Sequence, residues 1–161
     1  MAQQEIINII KVNAVRFDVP QDLAVAVAQI ESAFDPFAIR YEPGWKYFTD
    51  TVRYAELNMI AQQTEKILQA CSFGVMQVMG AVARELGFRE NLLKLSRVSV
   101  GSEYGCLKLS QLLRKYGTEE EAVSAYNAGS PRRTPENTFV NQAYVDKIFA
   151  VYTSRQGTQF S

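Results

Sequence analysis

The sequence predicts one mainly helical domain, α+β at most, spanning residues 1–161. Three observations carry this reading. Apolar residues recur at spacings of three and four through most of the chain, no segment sustains strand alternation, and no repeat, low-complexity tract or Pro/Gly-rich linker marks a domain boundary. At 161 residues and 47% hydrophobic, the chain can bury a core of its own.

Ile6, Ile9 and Ile10, followed by Lys11 to Val15, mark a first helix, and Pro20 opens a second through Ala24, Val27, Ala28 and Ile30. Glu31 then falls in the last turn of that helix. A third helix is expected over Asp50 to Gln69, with Val52, Leu57, Ile60, Ile67 and Leu68 as its buried positions. Val75, Val78, Met79, Val82 and Leu86 continue the helical spacing, and Gly87 supplies a C-terminal stop. The next helix carries Leu107, Leu109, Leu112, Leu113 and Tyr116 and ends at Gly117. Thr118 and Glu121 form a capping box that opens a short helix with Val123, Ala125 and Tyr126. Pro131 and Pro135 punctuate a loop, and a last helix from about Phe139 carries Val140, Tyr144, Ile148 and Tyr152. Brief strands are expected around Phe37 to Tyr41 and Lys46 to Thr49, and the tail from Gln156 to Ser161 is expected to fray.

Composition removes several function classes. The 17 basic and 17 acidic residues cancel, so no global positive field draws the chain onto nucleic acid or anionic lipid. The longest apolar run, Leu23 to Ala28, is far short of the roughly 20 residues that span a bilayer, and the N-terminus does not read as a secretory signal. Cys71 and Cys106 form no disulfide framework and no zinc spacing; two buried free thiols are the simpler expectation, with a single bridge left open. The chain has no histidine. Ser-His-Asp hydrolases, Cys-His amidases, His-ligated zinc peptidases and HxExxH deaminases all need one and are excluded. No metal or cofactor is expected. A proton carrier working near neutral pH must then be a carboxylate with a raised pKa, or a Tyr, Lys or Cys with a lowered one.

Four segments place polar or small residues where the helical pattern would favour plain core: Ile30-Glu31-Ser32-Ala33-Phe34-Asp35-Pro36, Ser72-Phe73-Gly74-Val75-Met76-Gln77, Ala125-Tyr126-Asn127-Ala128-Gly129 and Tyr144-Val145. In this order they resemble the Glu-Ser, Gly-Leu-Met-Gln and Ala-Tyr-Asn-x-Gly motifs of the lytic transglycosylases, enzymes with a lysozyme-like fold and a catalytic groove. The match runs over roughly residues 20 to 150, with Pro36, Ala38, Gly105 and Gly117 in agreement. Three features depart from the family pattern. The stretch between Glu31 and Gly74 is long, Gly80 stands where a Pro often follows Met-Gln, and Gly101-Ser102 stands where Asn-Ile is expected.

The resemblance implies that Glu31 is the single catalytic acid/base, cutting the β-1,4 bond between N-acetylmuramic acid (MurNAc) and N-acetylglucosamine (GlcNAc) in peptidoglycan with closure of a 1,6-anhydro ring. The apolar run before Glu31 suits a carboxyl kept protonated. By the same resemblance Tyr126 hydrogen-bonds and orients Glu31, its other reading being an aromatic that plugs the core beside Ala125. Ser32, Gln77 and Asn127 have the hydroxyl and amide groups to bind sugar or peptide, with helix-end or loop-fixing hydrogen bonds as their other reading. Met76 is expected to line the groove and Tyr144 enters on position alone. Gly74 and Gly129 are read as backbone positions. Asp35, near Glu31, is a second carboxylate that would support hydrolysis, or a turn residue before Pro36. The aromatic run Tyr41-Glu42-Pro43-Gly44-Trp45-Lys46-Tyr47-Phe48 is either a sugar-stacking lip or cover for the following helix.

The expected partner is the peptidoglycan glycan strand, met by a monomer. Two other outcomes stay open: a hydrolytic muramidase using the same site, and a non-catalytic peptidoglycan-binding component. The small single-domain form resembles phage enzymes, held in the host cytoplasm until a holin releases them or carried on the virion; a secretion-apparatus enzyme is the runner-up.

Overall fold

The computed structural model describes residues 1–157. Among the described residues there are eight α-helices and one small sheet, a mainly helical fold as expected. The helix α1 (Gln3–Arg16) turns Ile6, Ile7, Ile10 and Ala14 inward, and α2 (Gln21–Ser32) has every side chain from Leu23 to Ala28 fully buried. A helix apolar on all sides must sit at the centre of its fold. Here α2 packs between α1 and α8 (Gln142–Gly157), while α6 (Val98–Tyr116) packs against α1 and α7 (Glu119–Ala128). The polar residue Asn13 is accommodated in this core because its amide donates to Ser102 Oγ at 2.7 Å and Ser99 O at 3.1 Å.

The capping signals act as expected. Gly117 ends α6 in the left-handed region, and Thr118 Oγ1 accepts from the Glu121 N–H at 3.3 Å to start α7. The last helix starts at Gln142 rather than near Phe139, leaving Val140 exposed before it. Of the tail expected to fray, Gln156 and Gly157 belong to α8, and residues 158–161 lie outside the described residues.

Two expectations are corrected. The helix predicted over Asp50 to Gln69 is two helices, α3 (Thr51–Asn58) and α4 (Gln62–Gln69), separated where Met59 takes φ 53°. Their inward face is polar: Val52, Leu57 and Ile67 are exposed, whereas Glu65 and Gln69 are fully buried. Arg84, on α5 (Gly80–Glu85), explains the inversion. Its guanidinium meets Glu65 at 2.8 and 3.0 Å and also donates to the carbonyls of Phe88 and Glu90, so every buried charge is paired.

The second correction concerns residues 71–79. Of the positions read as helix, Val75 lies in a turn and Val78 and Met79 form a strand: β2 (Cys71–Phe73) and β3 (Val78–Met79) join β1 (Ile39–Tyr41) in an antiparallel sheet of order β1-β2-β3. Ile39 pairs Phe73 and Tyr41 pairs Cys71. The strand expected over Lys46 to Thr49 does not form. Gly74, at φ 72°, permits the β2–β3 turn to press on the 3-10 turn Leu92–Ser96: a Cβ there would stand 2.5 Å from Leu95 O. Cys71 and Cys106 are both buried and free.

Candidate active site

α2 stops at Ser32 because Ala33 and Phe34 both take positive φ, turning the chain out of the core. Glu31 is therefore carried by a rigid central helix and emerges, half-buried, into a cavity of about 680 Å³. Burial pushes its carboxyl above the ordinary glutamate range. The Tyr144 hydroxyl and the charges of Lys108 and Arg40 oppose that rise without cancelling it.

Tyr144, from α8, is the residue among those described that hydrogen-bonds this carboxyl, its hydroxyl donating to Glu31 Oε1 at 2.6 Å. The packing of α8 on α2 makes this contact. Burial and the carboxylate together push the Tyr144 hydroxyl far up, so it stays a donor. The role expected of Tyr126 is not what its geometry gives. The hydroxyl of Tyr126 donates instead to Met76 O at 2.7 Å, because α7 carries the ring into the core, toward the β2–β3 turn.

Met76 does not line the cavity. Its side chain is 0% exposed, packed on Gly105 and 4.0 Å from Cys106 Sγ. Ser32 Oγ reaches Val75 O at 2.8 Å and Ala28 O at 3.3 Å, tying the end of α2 to that turn. Gln77 borders the cavity at φ 48°. Its amide nitrogen donates to Ala38 O at 2.9 Å and Gly74 O at 3.0 Å, and its oxygen accepts from Ser72 Oγ at 2.8 Å. Asn127 is exposed on the cavity wall, its oxygen accepting from Asn141 at 3.0 Å. The four motifs thus converge: three contribute residues to the cavity lining, and the fourth reaches it through the Tyr144 bond to Glu31. Gly129 closes α7 at φ 80°, as a backbone position should.

Two cations beside the acid were not anticipated. Lys108 stands 3.9 Å from the Tyr126 ring centre and donates to Tyr126 O at 2.6 Å; burial pushes its ammonium down to about 8, while the Glu31 charge pulls it up. Arg40 lines the cavity from β1 and pairs with Glu42 at 2.7 Å. A signal for Lys108 existed: it lies one turn beyond Gly105 on α6, on the face that Gly105 presses against Met76.

Asp35 is exposed, absent from the cavity wall, and accepts from the Phe37 N–H at 2.9 Å, which is the turn role. The other carboxylate on the wall is Glu85, exposed at the end of α5. Among the described residues no cluster of His, Cys, Asp and Glu has the makings of a metal site. The arrangement provides one half-buried acid with a phenol donor on one oxygen and an ammonium nearby.

Residues 8–143 match the family described as the transglycosylase SLT domain. Protein IpgF of Shigella sonnei is 28% identical over 138 residues, covering 85% of this chain and 74% of its own length. Invasion protein IagB of Salmonella typhimurium (strain SL1344) is 27% identical over 141 residues, 88% of this chain and 72% of its own. No solved structure gives a significant match.

Proposed function

The chain belongs to the transglycosylase SLT domain family, whose members are lytic transglycosylases, and from that premise we propose that it cuts the MurNAc–GlcNAc β-1,4 bond with formation of 1,6-anhydro-MurNAc. The observation that carries the reading is the Glu31 carboxyl, raised by burial and held by Tyr144 at the cavity. Protonated Glu31 donates to the glycosidic oxygen as the bond from MurNAc C1 breaks, and GlcNAc leaves with that proton. The carboxylate then accepts the proton of the MurNAc C6 hydroxyl while O6 bonds to C1. One carboxylate serves both steps because the substrate supplies the nucleophile, where ordinary glycosidases use two.

Asp35 supports this reading by being engaged elsewhere: it accepts from the Phe37 N–H and does not border the cavity. Glu85 keeps a hydrolytic outcome as the second reading, since it is a carboxylate on the same wall. Substituting Glu31→Gln is expected to abolish release of soluble fragments from purified peptidoglycan; undiminished release overturns the assignment of the acid. Mass spectrometry of the wild-type products separates the two chemistries, anhydro ends being lighter than reducing ends by one water. Wild-type sugar binding without any product would favour the non-catalytic alternative.

The enzyme acts on glycan strands of the cell wall as a monomer in this proposal. Among the described residues no helix is long and apolar enough to cross a membrane. A phage role, as endolysin or on the virion, and a role in a secretion apparatus use the same reaction. The Salmonella relative is described as an invasion protein, a role outside phage lysis. Holin or capsid genes beside the coding gene would instead favour the phage role.

A further inference from the structure

The aromatic segment between β1 and α3 takes no part in the acid chemistry, yet it is firmly held. At its start the Glu42 N–H donates to Ala70 O at 2.9 Å, and the chain then turns at Gly44, φ 85°. At its end both backbone groups of Thr49 are taken by one side chain: Gln69 accepts from Thr49 N at 2.8 Å and donates to Thr49 O at 2.7 Å. The Gln69 amide also donates to Glu65 at 2.9 Å, and Glu65 is clasped by Arg84. A fully buried ionic network therefore ends on the backbone of a surface loop.

Between these anchors, the Trp45 indole N–H donates to Tyr47 O at 3.0 Å, and the two rings meet edge to face with centres 5.6 Å apart. The indole's single polar atom is thus satisfied inside the loop. Trp45 and Tyr47 border the same cavity as Glu31, and Tyr47 is 65% exposed, so the pair does not serve as cover for the core. Glu85, Gln111 and Asn127 add hydrogen-bonding groups to the lining of the same cavity. Aromatic surface framed by a few polar groups, continuous with a catalytic cavity, is how a site takes a ligand with one apolar face and a polar rim. A β-linked N-acetylhexosamine has that form: axial C–H bonds on its faces, hydroxyl and acetamido groups around its edge.

We propose that Trp45 and Tyr47 form a sugar-stacking subsite for one N-acetylhexosamine residue of the glycan strand, and that Gln69, braced by Glu65 and Arg84, is the positioning residue that holds it over the groove. The proposal rests on the reading of the cavity as a glycan-cleaving site and adds where a sugar beyond the cut bond is gripped.

Trp45 is the single tryptophan of the chain, so its emission reports this subsite alone. The probe is chitotetraose, titrated into the Glu31→Gln variant while tryptophan fluorescence and calorimetric heat are followed. A saturable emission change is expected that tracks the heat. Adding Trp45→Ala should weaken calorimetric binding about tenfold, with Trp45→Phe recovering most of it. In the active enzyme Trp45→Ala should raise KM more than it lowers kcat. Gln69→Leu should lose most of the emission change while keeping its helical circular dichroism. Calorimetric binding with flat emission, or equal affinity in Trp45→Ala, overturns the subsite and leaves the catalytic reading standing. A full emission response in Gln69→Leu overturns the bracing role. No binding, together with no digestion of peptidoglycan by the wild type, overturns the catalytic reading and the subsite with it.

Discussion

Tyr144 and Tyr126 both lie near Glu31, but only Tyr144 hydrogen-bonds it, and replacing each by Phe separates their roles. Tyr144→Phe removes a 2.6 Å hydroxyl-to-carboxylate bond. Hydrogen bonds to charged groups contribute about 1.5–3 kcal/mol, and each 1.36 kcal/mol is tenfold in rate, so kcat/KM should fall by about one to two powers of ten. The same bond lowers the Glu31 pKa, so its loss must raise it. The first step needs protonated Glu31, and the alkaline limb of the pH–rate profile should therefore move to higher pH. Stability should change by less than about 1 kcal/mol, because the half-buried carboxyl opens to the cavity and water can replace the phenol. Tyr126→Phe should behave in the opposite way. It strips the donor from Met76 O, a buried carbonyl, at about 1–3 kcal/mol, which in a domain of this length lowers Tm by roughly 2–10 °C. The alkaline limb should stay in place. The assays are initial rates of peptidoglycan solubilisation against pH, and thermal unfolding. A limb shifted by Tyr126→Phe and unmoved by Tyr144→Phe would refute the reasoning.

Removing the Lys108 charge with Lys108→Met takes away a positive neighbour that holds the Glu31 pKa down, so the alkaline limb of kcat/KM should again rise; a fall, or no change, would count against any electrostatic role for the ammonium. Arg84→Met leaves Glu65 as an unpaired buried charge and should cost about 3–5 kcal/mol in urea unfolding, with the Glu65→Leu/Arg84→Met pair losing less than the two single losses added. Gly105→Ala would place a Cβ 2.5 Å from Met76 Sδ. It should destabilise by about 1–3 kcal/mol, partly relieved by Met76→Ala, and additive losses in that pair would show that the two do not touch.

The position of Glu31 at the end of a buried helix was legible because its signals are local and strong, an apolar run closed by a Glu-Ser pair. The helices α1, α2, α6 and α7 were legible for a similar reason, being long, periodic or marked by Gly117 and Thr118. The two short strands were not, since three residues and two residues cannot declare a period of two against a neighbouring helical spacing. The burial of α3 and α4 was misread because its core is ionic. Hydrophobic periodicity selected Val52, Leu57 and Ile67, while Glu65 and Gln69 went inside to meet Arg84, a partner 19 positions beyond Glu65 in sequence. The exchange of roles between Tyr126 and Tyr144 has a comparable cause. Both stand near the carboxyl, and only the packing of α8 on α2 decides which hydroxyl reaches it.

The ionic clasp of Glu65, Arg84 and Gln69 also bears on how such a protein can diversify. Glu31 hangs from a helix embedded among α1 and α8, whereas the aromatic loop hangs from α4 and α5 through Gln69, Glu65 and Arg84. In the proposed reading, the cutting centre and the gripping surface thus rest on separate foundations. Loops of other length or composition can be exchanged between Glu42 and Thr49 without rebuilding the helix that carries the acid, so the choice of polymer can drift while the chemistry is inherited intact.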